Sequence, residues 1–472
     1  MIAPSLHPEP ITAPCEPRQR WAAGLTPRAV ALLLVGFAWL IPGFWDARLA
    51  WAMPAWDALI LVAALIDGLR LPRPALLTAT RSWSNAPALD SATEIDLTLQ
   101  NQGRTILDCR LVDDLPAALV AEPATLRLTV WPRVAATLRY KVEPRERGDW
   151  ETGSLYLRYR SSLGLVERWA RAPLTQDVRV YPALRTSQEQ QIFLARSRQI
   201  DLQLRQVRQR GLGRDFESLR EYREGDDLRD ICWTATARRG NLITRQYQTE
   251  RSQAVWIVLD CGRLMRSRVA IGAAQRSDSS RTLSPHTKLD HACTTAVALA
   301  QLALFSGDRV GLLAYGQSIQ QRLLPGRGAA HLRQLIESLA QVRAETSEAD
   351  HLFATATLNR LQPRRALILW ITDLAESAMR PEVIDGAVQL LRRHVLLFVA
   401  MAQPEVDAIA TNRPATVDQM FRAAAAQEMA ARRELILARL RDQGALTLDL
   451  NPEALTSSVL NQYLTIKERA MV

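Results

Sequence analysis

Hydrophobic and polar positions change their period three times along this chain. Residues 29–45, AVALLLVGFAWLIPGFW, run without a charge. As a helix that stretch is about 26 Å long, close to the ~30 Å hydrocarbon layer of a bilayer. A weaker apolar stretch from Trp51 to Ile66, interrupted by Pro54 and Asp57, follows the Asp46–Arg48 turn. The pair predicts a transmembrane helical hairpin over residues 27–70, with Trp39, Phe44 and Trp45 suited to an interfacial belt. From residue 74 to 183 the period becomes two. Glu94–Gln100, Thr125–Val130, Thr137–Val142 and Ser154–Tyr159 alternate apolar and polar residues between turn signals such as Asn101-Gln102-Gly103 and Gly148-Asp149. That predicts an antiparallel β-sandwich. Beyond residue 250, continuous apolar runs alternate with helical patterns. AVWIVLD (254–260) and ALILWITD (366–373) both end in Asp, as buried central strands of a doubly wound α/β sheet would. Between them lie a helix over 288–306, strands over 309–315 and 319–324, and helices near 329–342 and 348–361. A helix over 381–393, a strand over 395–400, a long helix near 416–443, a strand over 445–450 and a helix over 452–469 complete residues 254–472. Residues 1–26, Pro-rich and polar, are expected to be disordered.

Composition sharpens this picture in two places. The net charge is +10, but of 59 basic residues only Lys141, Lys288 and Lys467 are lysines. The base is not gathered into one phosphate-tracking stripe, so no nucleic-acid partner is expected. Arg18, Arg20 and Arg28 precede the hairpin, and Arg70, Arg73 and Arg81 follow it. The positive-inside rule then places both ends and the soluble body in the cytoplasm, giving a two-pass bacterial inner-membrane protein. A cleaved signal peptide ending at Ala50-Trp51-Ala52 is the competing reading, and the second apolar stretch argues against it. The five cysteines, 15, 109, 232, 261 and 293, show no CxxC spacing and read as reduced, buried thiols.

The densest charge lies in residues 205–253. Gly211–Arg251 holds eight Arg against eight acids, threaded with Phe216, Leu219, Tyr222, Ile231, Trp233 and Tyr247. Mixed charge with regularly placed aromatics points to a folded set of Arg–carboxylate pairs, with Asp226, Arg220, Arg229 and Arg245 as central members; a solvated charged face is the alternative. Asp227 is placed to cap a helix from Leu228, Arg238 and Arg239 fall in its last turn, and Gly240 supplies its stop.

Phe216, Leu219-Arg220, Tyr222, Gly225-Asp226-Asp227, Arg229, Ile231, Trp233, Ala237-Arg238 and Arg245 closely resemble the signature of the bacterial domain-of-unknown-function family fifty-eight. Leu163-Gly164-Leu165-Val166, Lys288-Leu289-Asp290 and Gly307-Asp308-Arg309-Val310-Gly311 extend the resemblance. It implies a membrane-anchored protein with a von Willebrand factor A-like domain, associated with a MoxR-type AAA+ ATPase. The interaction residues it implies are Arg220, Tyr222, Gly225, Asp226, Asp227, Arg229, Trp233, Arg238 and Arg245.

An A domain holds a hard cation through Asp-x-Ser-x-Ser, a Thr and a later Asp. Asp260 and Asp373 match the acids, but Gly262 and Leu264 replace both serines, and Thr346 is the only threonine that offers itself. Mg²⁺ is the cation a full oxygen cage would take. The eroded set predicts an empty, degenerate site, with Arg263 neutralising the carboxylates. No lysine follows a glycine, which excludes a Walker A phosphate loop, and no G-x-S-x-G or H-E-x-x-H occurs. His286 and His291 are expected at the surface. The sequence thus predicts a non-enzymatic interaction protein without a cofactor; the alternatives are a metal-assisted hydrolase using the charged signature and a structural envelope scaffold without an ATPase partner.

Overall fold

A computed structural model describes residues 8–19, 23–43, 51–183, 193, 195–196, 215–223, 228–248, 253–269, 286–374 and 382–469. The chain divides into two units, Met1–Ala183 and Leu184–Val472.

The first unit opens with β1 (Ile11–Pro14), β2 (Glu16–Pro17), β3 (Ala23–Leu25), α1 (Pro27–Gly36), α2 (Leu40–Gly43) and α3 (Ala52–Arg70). Ten strands follow: β4 (Leu77–Trp83), β5 (Thr93–Asn101), β6 (Leu107–Asp113), β7 (Leu119–Glu122), β8 (Leu126–Val130), β9 (Ala135–Pro144), β10 (Gly148–Thr152), β11 (Leu155–Arg160), β12 (Val166–Ala172) and β13 (Gln176–Val180). One antiparallel sheet has the order β1-β4-β5-β9-β7. A second has the order β2-β12-β11-β6-β8, with β3 beside β12, and β10 pairs with β13. Alternation buries every second residue of β4 and β5. Ile95, Leu97 and Leu99 from one sheet share a core with Cys109, Leu111, Leu157 and Tyr159 from the other. Arg81 of β4, fully buried, joins the sheets by donating to Asp113 of β6 and to the carbonyls of Leu174 and Gly153.

The disorder expected of residues 1–26 is not what the structure shows over 11–17 and 23–25, where three short strands form. Ala13 and Cys15 are buried in the shared core, and that burial outweighs the polar composition. Pro14 and Pro17 are tolerated because β1 and β2 are edge strands, where a missing N–H breaks no ladder.

Among the described residues, α3 is the one helix long and apolar enough to cross a membrane, judged by length and composition. Helix α1 has ten residues and packs on it: Trp56 Nε1 donates to the Leu32 carbonyl at 2.9 Å. Gly36 lies so close to Asp57 that a Cβ there would stand 2.5 Å from its Oδ1, the small-residue approach typical of paired apolar helices. Leu34, Val35, Leu59, Leu65 and Leu69 point outward and are exposed.

The foot of α3 is latched to the β11–β12 turn. Asp67, buried, accepts from Ser161 Oγ and from the backbone N–H groups of Leu165 (3.0 Å) and Val166 (3.2 Å). Arg168 donates to the Gly68 carbonyl at 2.9 Å, and Thr26, the cap of α1, donates to the Gly164 carbonyl at 2.5 Å. Gly164 sits at φ +65°, a left-handed turn that favours glycine. The Leu163–Val166 motif of the sequence is therefore the socket for the helix pair.

The second unit contains β14 (Asp215–Glu221), α4 (Trp233–Arg239), β15 (Ile243–Gln248), β16 (Ala254–Asp260), α5 (Lys288–Phe305), β17 (Arg309–Tyr315), β18 (Ile319–Gly326), α6 (Gly328–Gln341), α7 (His351–Leu361), β19 (Leu367–Thr372), α8 (Glu382–Leu391), β20 (Val395–Met401), α9 (Pro404–Thr411), α10 (Val417–Asp442), β21 (Leu446–Leu450) and α11 (Leu455–Glu468). Its main sheet has the order β18-β17-β16-β19-β20-β21, parallel except for β18. Every residue of β16, β19 and β20 is buried, which is why these strands read as unbroken apolar runs. The order reverses at β16, so the crevice opens beyond its carboxyl end.

Candidate functional site

Three strand ends and two helix starts meet in that crevice. Asp260 ends β16, Thr372 ends β19 with Asp373 directly after it, and Gln403 follows β20. Lys288 begins α5 and His351 begins α7. The Asp260 carboxylate accepts from the Gly262 N–H at 2.7 Å and from the Thr372 hydroxyl at 2.5 Å. Asp373 accepts from Lys288 Nζ at 2.5 Å and from Gln403 Nε2 at 3.1 Å. Lys288 and Asp373 are both buried, with side-chain exposures of 3% and 0%. Burial pushes the Asp260 carboxyl above its ordinary value, opposed by the nearby His351 and by its two hydrogen-bond donors. Beneath lies an aromatic set: Trp370 Nε1 donates to Tyr315 Oη at 2.7 Å, and Tyr315 Oη meets His351 Nδ1 at 2.9 Å.

The structure thus brings Asp260 and Asp373 to one crevice but changes their neighbours. The cation on Asp373 is Lys288, where the sequence suggested Arg263; Arg263 stands exposed at the cleft mouth. The hydroxyl on Asp260 is that of Thr372, where the sequence offered Thr346. Helix α5 is held by a capping box between Thr287 and Asp290, which fixes Lys288 at its first position. His286 and His291 meet edge to face, ring centroids 6.0 Å apart. Residues 270–285, between Asp260 and α5, lie outside the described residues.

The charged signature folds as a hairpin with an insert. β14 and β15 pair antiparallel, Leu219 opposite Arg245 and Arg220 opposite Thr244. The helix expected from Leu228 is interrupted: a 3₁₀ turn, Leu228–Asp230, precedes α4. Ile231 bridges to Thr244 and the Cys232 N–H donates to the Ile243 carbonyl, so burying Ile231 pulls the chain out of helical register. Gly240 ends α4 at φ +74°, as its place in the sequence predicts. Trp233 is 67% exposed at the start of α4, and Arg238 near its end is also exposed. Tyr222 N–H donates to the Leu242 carbonyl, and Arg220 donates to the Glu221 carbonyl. Gly225, Asp226, Asp227 and the side chain of Arg229 lie outside the described residues, so the network expected there is not in view. The Cys232 thiol is lowered to about 7, chiefly by its hydrogen bond with Thr234 and then by the Ala235 amide and Arg245.

Residues 218–414 match the family profile described as "Protein of unknown function DUF58". Over that span the chain is similar to DUF58 proteins. The span takes in Asp260, Lys288, His351, Asp373 and Gln403, so the whole crevice falls inside it. An uncharacterized protein of Mycobacterium tuberculosis, Rv1480, is 25% identical over 255 residues, 52% of this chain and 76% of that protein. The uncharacterized YeaD of Bacillus subtilis is 21% identical over 264 residues, 54% of this chain and 58% of its own length. Among solved structures, BatB from Bacteroides thetaiotaomicron is similar at 11% identity and TM-score 0.29, over 46% of this chain and all of BatB. A von Willebrand factor type A protein from Catenulispora acidiphila is similar at 10% identity and TM-score 0.27, over 48% of this chain and 44% of that one. Within the matched span, sequence reasoning missed Thr372, Gln403, His351, Tyr315 and the role of Lys288. Lys288 carried a signal, being one of three lysines among 59 basic residues.

Proposed function

We propose that this chain is a membrane-anchored, non-enzymatic interaction protein whose DUF58 domain docks a protein partner, by family resemblance a MoxR-type AAA+ ATPase. The observation that carries the reading is the DUF58 surface around α4. Trp233, largely exposed, opens a helix that is fixed by a glycine stop and carries exposed Arg238 and Arg239 in its last turn, and Trp and Arg are the residue types enriched at binding hot spots. The first unit serves as a sandwich-like spacer on a two-pass anchor, α1 and α3 forming the hairpin in an inner membrane with both soluble units cytoplasmic. The exposed apolar faces of α1 and α3 and the latch at Asp67 support that arrangement.

A pull-down of the full chain with a MoxR-type AAA+ ATPase, with and without ATP, tests the docking. ATP-sensitive capture by the wild type, lost in Trp233→Ala and weakened in Arg238→Glu, is expected. Capture that neither substitution changes removes α4 from the interface; no capture in either nucleotide state removes the ATPase partner. Reporter fusions after residue 50 and at the carboxyl terminus, reading opposite sides, test the two-pass topology.

A further inference from the structure

The strand-end crevice does not fit the divalent cation that A domains hold there. Such an ion needs a shell of about six oxygens. Here the carboxylate oxygens of Asp260 and Asp373 already face protein donors: the Gly262 N–H, the Thr372 hydroxyl, the Lys288 ammonium and the Gln403 amide. Nor can the missing serine hydroxyl be restored at position 262. A Cβ there would stand 2.9 Å from the Ala349 backbone nitrogen. That approach is built in, because the 345–350 segment is tied across the motif. Glu345 N–H donates to the Cys261 carbonyl at 2.7 Å, Arg263 N–H to the Ser347 carbonyl at 2.8 Å, and Asp350 N–H to the Gly316 carbonyl at 2.9 Å.

We propose that Lys288 is the resident cation of this crevice. Its ammonium takes the place of a divalent ion at the strand-end carboxylates, and the DUF58 domain holds its switch point together without metal. Three features make Lys288 suited to the task. Its Nζ reaches Asp373 at 2.5 Å while the side chain is 97% shielded from solvent, so bulk water and salt do not replace it. The capping box fixes the start of α5, so the charge is delivered by a rigid helix end. A compact ammonium on a thin stem also fits against Asp373 where a hydrated ion would need room. The consequence is regulatory: partner docking at this domain does not respond to divalent cations through this crevice. The assignment of Lys288 stands whether or not the ATPase partner is right, since its test involves no partner.

The test uses the full chain in detergent: wild type, Lys288→Ala, and Lys288→Ala combined with Asp373→Asn. Mn²⁺ is titrated by electron paramagnetic resonance, and thermal unfolding is followed with Mg²⁺, with EDTA and with methylammonium. The wild type is expected to take up no Mn²⁺ in the crevice and to unfold at the same temperature in EDTA and Mg²⁺. Lys288→Ala is expected to unfold at a lower temperature, to recover with Mg²⁺ or methylammonium, and to gain a Mn²⁺ site that Asp373→Asn abolishes. Wild-type Mn²⁺ binding that Asp373→Asn abolishes would overturn the assignment, as would a folded Lys288→Ala chain that responds to neither cation. If Lys288→Ala does not fold, Lys288→Met with Asp373→Asn removes both charges and is expected to restore folding; a chain that stays unfolded counts against the assignment.

Discussion

Replacing Asp67 with Ala should loosen the join between the apolar helix α3 and the strands of the first unit. The carboxylate is buried at the foot of α3 and accepts from Ser161 Oγ and from the Leu165 and Val166 amides. A hydrogen bond to a charged acceptor contributes about 1.5–3 kcal/mol, and a buried donor left unpaired costs about 1–3 kcal/mol. Alanine leaves two amides and a hydroxyl without that acceptor. Arg168 and Thr26 still bridge the two parts, so the three losses do not simply add. The expected cost is about 3–4 kcal/mol, for a local opening rather than global unfolding. Asp67→Asn keeps an acceptor oxygen and loses the charge, and should cost about half as much. Hydrogen exchange in lipid nanodiscs reads this directly. Amides of residues 161–168 should lose protection by roughly a hundredfold or more in Asp67→Ala, since about 1.4 kcal/mol is tenfold. Amides of β16 and β19, in the other unit, should be unchanged. Protection at 161–168 within a few-fold of wild type would refute the latch.

Three further outcomes are expected. Arg81→Met leaves the buried Asp113 carboxylate, 2% exposed, without its guanidinium, with the Tyr140 hydroxyl still donating to it. It should destabilise the first unit by about 3–5 kcal/mol, and adding Asp113→Asn should recover part of that, both read by exchange in β5. His394 is 4% exposed, finds no hydrogen-bond partner for either ring nitrogen among the described residues, and is lowered from its ordinary 6.5 by burial and then by Arg393. A depressed histidine gives stability that is complete above pH 6.5 and is lost as pH falls through its folded value. The wild-type unfolding temperature should therefore drop below pH 6.5, and His394→Leu should flatten that drop; equal slopes would count against it. Lys467→Arg should cost about 1–3 kcal/mol by overpacking, whereas Lys141→Arg, at an exposed position, should be neutral by urea midpoint.

What was legible in the sequence is what short-range pattern encodes. The apolar runs ending at Asp260 and Asp373 gave the central strands, and alternation in Glu94–Gln100 gave a half-buried one that the structure extends to Thr93–Asn101. Long-range choices were not legible. The pairing of β14 with β15 spans the α4 insert, and the edge pairing of Ile11–Pro14 with β4 overrides a composition that reads as disordered. The crevice shows the same limit. Arg263 is three residues from Asp260 and invited pairing by proximity, whereas Lys288 meets Asp373 across a separation of 85 residues. Only the strand order, which sets β16 beside β19 and starts α5 above them, brings those two together.

The lysines carry that lesson further. Of the 59 basic residues only three are lysine, so whatever drives arginine into this chain left few positions behind. Two of the three hold a buried carboxylate. Lys288 meets Asp373, and Lys467 reaches Asp308 at 3.4 Å and the Ser306 carbonyl at 2.9 Å, while Tyr463 donates to the same Asp308 at 2.5 Å. Burial raises the Asp308 carboxyl, and Lys467 is the largest opposing influence. An ammonium on a thin stem fits where a planar guanidinium, with its five donors, would leave several unpaired in a closed slot. The Gly307-Asp308-Arg309 turn and the Lys288-Leu289-Asp290 start, read from the sequence as family marks, thus share one physical task. Each seats a buried lysine–aspartate pair that fixes a helix to the parallel sheet, α11 at the start of β17 and α5 beyond the end of β19.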